Sequence, residues 1–333
     1  MVERRPGPDI GLERDQGFVF GDPVGDLYRD PAGYDPGPEL LAALRAALLL
    51  GLPLLLTGEP GCGKTSVAHW LAWKLKCKPF VFNVKSSSIG RDLLYEFDEL
   101  ARFGDANAGQ SRPPVEYLTL NALGLAILFS AASDKMFENG KTRYSDMVPT
   151  ADKSCFSSRH VVLIDELDKA PRDTPNDLLA EIDQMQFQIR ELKTTIVGSR
   201  DFRPAVIITS NSEKSLPEPF LRRCVFHHIN APDDKRRREI IARRNHPFAL
   251  RPGLYDQAMR YFDRTALLGR PPGTAELLAW LTVLEELVTN YEQVKGVGAG
   301  INLQEIVRPT LGLIAKTRED VELAERLLNN PGV

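Results

Sequence analysis

An eight-residue, glycine-rich segment constrains the fold of this chain more than any other feature of its sequence. It runs from Gly58 to Thr65 and fits the pattern GxxxxGK[ST] at every fixed position. A short apolar run, Pro53 to Leu56, precedes it, and a stretch with apolar residues at helical spacing follows it. A strand, a turn and a helix in this order predict a loop that binds phosphate groups. A glycine-rich turn that matches the pattern by chance is the alternative.

The residues of this loop suit a nucleoside triphosphate and its metal ion. Glycines allow backbone N–H groups to surround a phosphate, and the start of the following helix adds a positive dipole. Lys64 adds a positive charge near the terminal phosphates, and the hydroxyl of Thr65 can bind Mg²⁺. We therefore predict ATP and Mg²⁺ as cofactors. The predicted nucleotide-binding residues of the loop are Gly58, Glu59, Pro60, Gly61, Cys62, Gly63, Lys64, Thr65 and Ser66.

A second apolar run ends in two adjacent carboxylates. Val161 to Ile164 predict a buried strand, and Asp165 and Glu166 follow directly. Because open α/β sheets bind ligands at the carboxyl ends of their strands, we expect Asp165 to contact the nucleotide and to bind Mg²⁺ together with Thr65. Glu166 is expected to polarise the water that attacks the terminal phosphate. An acidic cap at a strand end is the plainer interpretation of the same two residues.

Apolar runs alternate with helical stretches over the first two thirds of the chain. The strand candidates are residues 53–56, 80–84, 160–164 and 205–209. Continuous apolar strands separated by helices predict a parallel sheet that is covered on both faces. Between Met185 and Pro204 the sequence alternates between apolar and polar residues, which predicts a β-hairpin before the last strand.

Three segments follow from these patterns. Residues 1–37 are rich in Gly, Pro and Asp and predict an extended arm. Residues 38–231 begin with a helix and contain the predicted sheet, so they form an α/β nucleotide-binding core. Residues 232–333 form a separate all-helical lid. Its amphipathic helices are predicted around residues 236–244, 253–261, 275–288, 303–315 and 319–328.

Composition argues against several other classes of protein. Hydrophobic residues make up 43% and charged residues 26% of the chain, as in ordinary globular proteins. A net charge of −3 does not favour a nucleic-acid-binding protein, although it is compatible with a local basic patch. The cysteines lack metal-type spacing, and the longest apolar stretch, Ala46 to Leu56, is too short to span a bilayer. We expect a cytoplasmic protein with reduced thiols and no membrane association.

Four motifs in a fixed order resemble those of AAA+ ATPases. They are the phosphate-binding loop, Asp165-Glu166 at a strand end, Thr209-Ser210-Asn211 at the end of the next strand, and Leu216 to Cys224. The hairpin narrows the resemblance to the MoxR-like branch, which typically carries an insert within its second helix and a hairpin before the sensor strand. The resemblance implies a three-layer P-loop NTPase core with a parallel sheet, a small helical lid and ATP hydrolysis.

The same resemblance implies roles for several polar residues. Asn211 would be the sensor 1 residue, which orients the attacking water, and Asn83 a switch residue that restrains Glu166. Arg223 would be the arginine finger, a cation that one subunit inserts into its neighbour's site to neutralise charge on the γ-phosphate. Arg222 is adjacent, so we expect one of the two arginines to make a surface salt bridge. The predicted catalytic residues are Glu166, Asn211, Arg223 and Arg222.

A finger supplied by a neighbour implies a homo-oligomer, and the resemblance implies a hexameric ring that remodels a protein client, often with a von Willebrand A-domain partner. Two other functions stay open. One is a nucleic-acid-directed motor, because the hairpin also resembles that of ring helicases. The other is an ATP-dependent signalling switch that recruits an effector. A small-molecule kinase ranks last, since it has no use for Asn211 and the paired arginines.

Three further features leave alternatives. AAA+ lids usually carry a sensor 2 arginine at the start of a helix, and this chain has no arginine at that position. Arg270, in the loop before that helix, either takes this role or is a surface residue. The segment from Lys85 to Phe97 either faces a central pore or forms a capped helix packed on the core. The basic run from Lys235 to Arg238 contacts a phosphate backbone, forms a solvated face or contacts another subunit.

Overall fold

The structure, a computed structural model, describes residues 30–110, 112–137, 142–171, 174–211, 216–244, 246–295 and 300–329. These residues divide into two units. The α/β unit comprises residues 36–58 and 64–229. The helical unit contains the residues from 230 onward, residues 59–63 and the N-terminal residues up to 35. Residues 1–29 of the predicted extended arm lie outside the described residues.

Five parallel strands form the sheet of the α/β unit. The strands of the described chain are β1 (Leu54–Gly58), β2 (Pro79–Asn83), β3 (Tyr95–Phe97), β4 (Leu118–Leu120), β5 (Val161–Asp165), β6 (Gln186–Ile189), β7 (Thr194–Val197), β8 (Ala205–Thr209) and β9 (Val225–Ile229). Strands β2, β5, β8, β1 and β9 lie side by side in that order, and every neighbouring pair is parallel. β1 and β8 are buried along their whole length, as expected of strands covered on both faces. The predicted fold class is confirmed.

The α/β unit also contains helices in its described residues. They are α1 (Gly37–Leu50), α2 (Lys64–Lys74), α3 (Glu99–Asn107), α4 (Ala122–Ser130), α5 (Thr174–Gln184) and α6 (Glu218–Leu221). α1 ends at Gly51, whose φ of 66° is a left-handed conformation that glycine adopts without strain. α4 is buried along its length and packs against β2 and β5. Its sequence, ALGLAILFS, is apolar on all sides and therefore shows no helical period.

The sheet extends beyond the four predicted strands by β9, which pairs with β1 at the edge. Its burial alternates between half-buried and exposed positions, because an edge strand is covered on one face. His228 lies on this strand, and its Nδ1 is 2.9 Å from the Thr57 hydroxyl. The histidine therefore belongs to the pairing of β1 with β9.

Two antiparallel strand pairs lie outside the sheet. β6 and β7 form the hairpin predicted before β8, and Phe187 pairs with Ile196. The segment from Lys85 to Phe97 contains a single 3₁₀ turn, Gly90–Leu93, followed by β3, which pairs with β4. The capped-helix alternative is therefore confirmed in part: the segment is capped, Leu93 and Leu94 are buried in the core and Phe97 packs against it, but the helix is a single 3₁₀ turn. Asp92 accepts a hydrogen bond from the Ile89 N–H, which caps the start of this 3₁₀ turn.

In its described residues, the helical unit has six helices and a core that includes the fully buried Trp280. They are α7 (Asp234–Arg243), α8 (Pro252–Arg264), α9 (Thr274–Lys295), α10 (Leu303–Val307), α11 (Leu311–Ile314) and α12 (Arg318–Asn329). The helix predicted over 303–315 is broken by a 3₁₀ turn, Arg308–Thr310. Pro309 explains the break, because proline has no N–H for an intrahelical hydrogen bond.

Candidate nucleotide-binding site

The glycine-rich loop leaves β1 and leads into α2. Gly58, Gly61 and Gly63 have φ values of 145°, 78° and 96°, where a side chain would cost strain. Lys64 begins α2 and is buried, and its Nζ donates a hydrogen bond to the carbonyl oxygen of Gly58 at 2.8 Å. The lysine side chain therefore folds back toward the start of the loop, so that its charge lies beside the backbone expected to surround a phosphate.

Two threonine hydroxyls converge on Asp165 at the carboxyl end of β5. The Thr65 hydroxyl donates to Asp165 and lies 3.1 Å from Oδ2 and 3.3 Å from Oδ1. The Thr209 hydroxyl donates a short hydrogen bond to Oδ1 of the same carboxylate. Mg²⁺ prefers such oxygen donors, takes one or two protein ligands and fills its octahedron with water and phosphate oxygens. Thr65 and Asp165, the two predicted metal-site residues, lie together and fit this ion.

Glu166 stands in a left-handed backbone conformation beside Asp165. Its φ of 60° and ψ of 48° are uncommon for a residue with a side chain. Its backbone N–H donates to the Thr209 hydroxyl at 2.9 Å, which holds the turn in place. Among the described residues its carboxylate pairs with Lys169, not with Asn83, and this pairing raises the pKa of the Lys169 ammonium. Lys169 was not predicted for the site, and its only signal is its position three residues after Glu166.

Two amides flank the carboxylates on neighbouring strands. β2 pairs with β5 so that Asn83 lies opposite Asp165, and Asn211 follows β8 on the other side of β5. The Asn211 N–H donates to Asp168 at 3.1 Å, and both amide side chains are exposed. The sheet therefore brings Asn83, Asp165 and Asn211 to one edge, where their side chains can reach a common ligand.

The two adjacent arginines differ in their contacts. Arg222 forms an ion pair with Glu218, one helical turn earlier. Arg223 is exposed, and within the described part of the chain its guanidinium takes part in no ion pair. Of the two cations, Arg223 is therefore the one whose charge is available to an anion outside this subunit.

Within the helical unit, loop residues 59–63 pack against Tyr34 and the start of α9. A Cβ added to Gly63 would lie 3.3 Å from the Tyr34 ring, and one added to Gly61 would lie 3.0 Å from the Glu276 carboxylate. Burial raises the pKa of the Tyr34 hydroxyl well above its usual value, and nearby Cys62 adds to the effect. Close packing is thus a second reason for glycine at these positions. Tyr34 was not predicted, because the sequence around it indicates only an extended arm.

The basic run of α7 is neutralised inside the helical unit. Its pairs are Arg236 with Asp35, Arg237 with Asp263, and Arg238 with Asp234 and Asp256. Arg270, in the loop before α9, is exposed. The charges of these three arginines are therefore partly balanced by aspartates of the same unit.

A parallel sheet with a phosphate-type loop after β1 and acidic residues at the end of β5 defines the class of P-loop nucleotide-binding proteins. The model of the AAA family, described as "ATPase family associated with various cellular activities", matches residues 54–232. This match spans more than half of the chain, which therefore belongs to the AAA family.

Comparisons with individual proteins show only distant similarity to this chain. Among solved structures, a variant of RuvB from Thermotoga maritima is 20% identical to this chain, with a TM-score of 0.42. The match covers 85% of this chain and 69% of that chain. No curated protein sequence matches. In the described ranges, no helix is both long enough and apolar enough to cross a membrane.

Proposed function

We propose that this chain binds Mg-ATP, hydrolyses it, and works as a ring-forming AAA+ ATPase of the MoxR-like branch. The observation that carries the proposal is the convergence of Thr65 and Thr209 on Asp165, directly beside Glu166. This arrangement places the Thr65 hydroxyl and the Asp165 carboxylate, whose oxygens suit Mg²⁺, next to the Glu166 carboxylate. The Glu166 carboxylate is half exposed and therefore open to water.

The residues divide the work of hydrolysis among them. Lys64 and the N–H groups of the loop hold the phosphates, and Thr65 and Asp165 hold the metal ion, which neutralises phosphate charge when it is bound. Glu166 accepts a proton from the attacking water. The Asn211 amide orients that water, and Arg223 of a neighbouring copy neutralises charge on the γ-phosphate.

The client of the ATPase follows from the resemblance alone. A MoxR-like ATPase remodels or activates a protein client, with a von Willebrand A-domain protein as a candidate partner and a hexameric ring as the working assembly. A nucleic-acid motor is less favoured, since the arginines of α7 are already paired with aspartates. A signalling switch is the other alternative, and very slow turnover with ATP-dependent assembly would distinguish it.

We place the protein in the cytoplasm. The four cysteines are all free thiols, as expected in a reducing compartment. Fractionation of cells that express the tagged chain should recover it with cytoplasmic markers, and recovery with membranes would contradict this placement.

Two substitutions test the assignment of ATPase activity. Lys64→Ala should abolish ATP binding measured by isothermal titration calorimetry. Glu166→Gln should keep ATP bound while lowering kcat by about 10²- to 10⁴-fold, the usual contribution of a general base. Glu99→Gln, at an exposed position of α3, is the matched control and should leave both measurements unchanged. Native turnover in the Glu166→Gln protein would refute the catalytic assignment.

A further inference from the structure

The edge of the sheet opposite the candidate site carries an apolar surface. At this edge β1, β5 and β8 begin, and α1 and α2 end nearby. Leu49 and Leu50, at the end of α1, are 87% and 66% exposed, and Leu75, just after α2, is 40% exposed. Large exposed apolar side chains that cluster in this way mark interaction surfaces more often than isolated ones do.

A groove runs beside these leucines within the α/β unit. It is lined by Leu44, Leu48, Leu52, Leu71, Arg159 and Arg203, together with the first residues of β1 and β8. The Arg203 guanidinium donates to the carbonyl oxygens of Gly51 and Asp183, at 2.7 and 2.8 Å, so it is part of the wall. The groove is thus a recessed apolar surface, continuous with the protruding leucines at the end of α1. We call the groove and Leu49, Leu50 and Leu75 together the lower surface.

The last turn of α1 exposes apolar side chains on its outer side. One side of α1 packs on β1 and β9, where Leu44 and Ala47 are buried. The following residues, Leu48 to Leu50, continue the apolar character around the remaining sides of the helix. A helix that is apolar all round is normally covered on all sides. Here the outer side of the last turn is open to solvent.

Several basic side chains lie beside the lower surface. Arg45 lies one helical turn before Leu49, and Lys76 and Lys78 follow α2. β2 begins opposite Val161, so Lys78 lies close to Arg159. Within the described part of the chain, none of Arg45, Lys76, Lys78 and Arg159 takes part in an ion pair. Asp183, whose carbonyl oxygen accepts from Arg203, and Asp201 are exposed carboxylates near the same edge. The rim is therefore predominantly positive on a chain whose net charge is −3.

We propose that the lower surface docks an acidic amphipathic helix of a partner protein. Apolar side chains spaced at i, i+3, i+4 and i+7 would fill the leucine groove, and Asp or Glu residues beside them would pair with the basic rim. Charge complementarity selects this occupant, because unpaired cations around an apolar groove favour an anionic partner. The lower surface and the nucleotide site lie at opposite ends of the strands, so a partner docks without covering the loop. The proposal does not depend on the proposed ATPase activity.

A pair of designed peptides tests the proposal on the full-length chain. The acidic peptide is a fluorescent helix with leucines at the four spacings and glutamates beside them, and the basic peptide carries lysines in place of the glutamates. Fluorescence anisotropy should show that the native chain binds the acidic peptide and not the basic one, with an affinity that falls as salt is raised. Leu49→Ser with Leu50→Ser should weaken binding by about tenfold or more, as for central interface residues. Lys76→Glu with Lys78→Glu should weaken binding of the acidic peptide by a similar factor and should allow the basic peptide to bind.

Leu100→Ser with Phe103→Ser is the matched control. These residues of α3 are 85% and 68% exposed, close to the values for Leu49 and Leu50, but they lie outside the lower surface. This control should keep native affinity for the acidic peptide. Thermal unfolding of all variants should match that of the native chain, because the substituted side chains are largely in solvent.

Four outcomes would overturn the proposal. The two peptides could bind equally well, or the α3 control could lose as much affinity as the leucine variant. Sedimentation could show native self-association that Leu49→Ser with Leu50→Ser abolishes while the acidic peptide has no effect, which would make this face a contact between copies. Vesicles of phosphatidylserine could bind the native chain without competition from the acidic peptide, which would make the ligand a lipid surface.

Discussion

At the scale of single residues, Thr209 is the side chain that joins the parts of the candidate site. It is fully buried, its hydroxyl donates to Asp165, and it accepts the backbone N–H of Glu166 at 2.9 Å. Because Glu166 adopts a left-handed conformation, this second bond stabilises a turn that the backbone alone disfavours. One hydroxyl therefore positions the Asp165 carboxylate and the backbone of Glu166.

Thr209→Val should weaken the site and the fold together. Valine keeps the shape but leaves the Glu166 N–H without a partner and removes one of the two hydroxyls that donate to Asp165, which costs about 1–3 kcal/mol. Guanidinium unfolding should show this loss of free energy, and kcat should fall more than KM changes. Thr195→Val on β7 is the control, since the Thr195 hydroxyl makes no hydrogen bond among the described residues. Equal stability of the two variants would refute the role of Thr209.

We expect His246 to make the stability of the helical unit depend on pH. Its Nε2 lies 3.1 Å from the Thr282 hydroxyl, its Nδ1 accepts the N–H of Phe248, and burial lowers its pKa. The unfolded chain takes up a proton near pH 6.5, whereas the folded chain resists it. Stability should therefore be complete above about pH 6.5 and should fall at lower pH, by at most about 1.4 kcal/mol per unit for one proton.

Urea unfolding of the native chain and of His246→Asn at pH 7.5 and pH 5.5 measures this effect. The difference in unfolding free energy between the two pH values should be smaller in the variant. Burial also lowers the pKa of His227, so part of the dependence should remain. A variant with the full native pH dependence would show that His246 does not contribute.

At the scale of elements, a close contact between α4 and the backbone of Leu94 positions the chain that leads into β3. A Cβ added to Gly124 would lie 2.0 Å from the carbonyl oxygen of Leu94, so only glycine allows this approach. The Asn121 N–H donates to the same carbonyl at 2.9 Å. The start of α4 is thus attached to the chain that follows β2.

Gly124→Ala should destabilise the α/β unit by about 1–3 kcal/mol, because the added methyl group must displace a backbone carbonyl. Gly104→Ala is the matched control. A Cβ at Gly104 would meet nothing within 4 Å, so alanine should stabilise α3 by about 0.5–1 kcal/mol. Chemical unfolding of both variants measures the two changes. The absence of any loss in Gly124→Ala would show that α4 can shift away at no cost.

At the scale of the whole molecule, the proposed ring depends on Arg223. Its guanidinium is exposed, whereas Arg222 is paired with Glu218. A cation that acts in a neighbouring copy must reach out from the surface of its own subunit, and Arg223 meets this requirement.

Arg223→Ala should bind ATP with native affinity and lose about 10³-fold or more in kcat, the usual effect of an arginine finger. Arg222→Ala should change kcat much less. Mixing Arg223→Ala with Lys64→Ala subunits should restore part of the activity, because some interfaces then join an intact loop to an intact finger. Activity per subunit should also fall on dilution. Failure of the mixture to recover activity would contradict a finger that acts between copies.

The predictions that the structure confirms rest on local patterns. The loop, the apolar strands and the hairpin were read from runs of a few residues, because backbone preference and side-chain period act over that range. The elements that were missed lack such a period. α4 is apolar on all sides, and β9 is an edge strand with polar residues.

The sequence by itself determined the family, the loop that ends at Thr65 and the strand that ends at Asp165, since each depends on adjacent residues. Only the tertiary structure decided which distant groups meet. Thr209 reaches Asp165 across 44 positions of the chain, and Thr65 reaches it across 100. Such contacts follow from the order of strands in the sheet, and no local pattern encodes that order. Leu49 and Leu50 show the same limit, because the apolar run alone does not determine which of its leucines the folded α/β unit leaves in solvent.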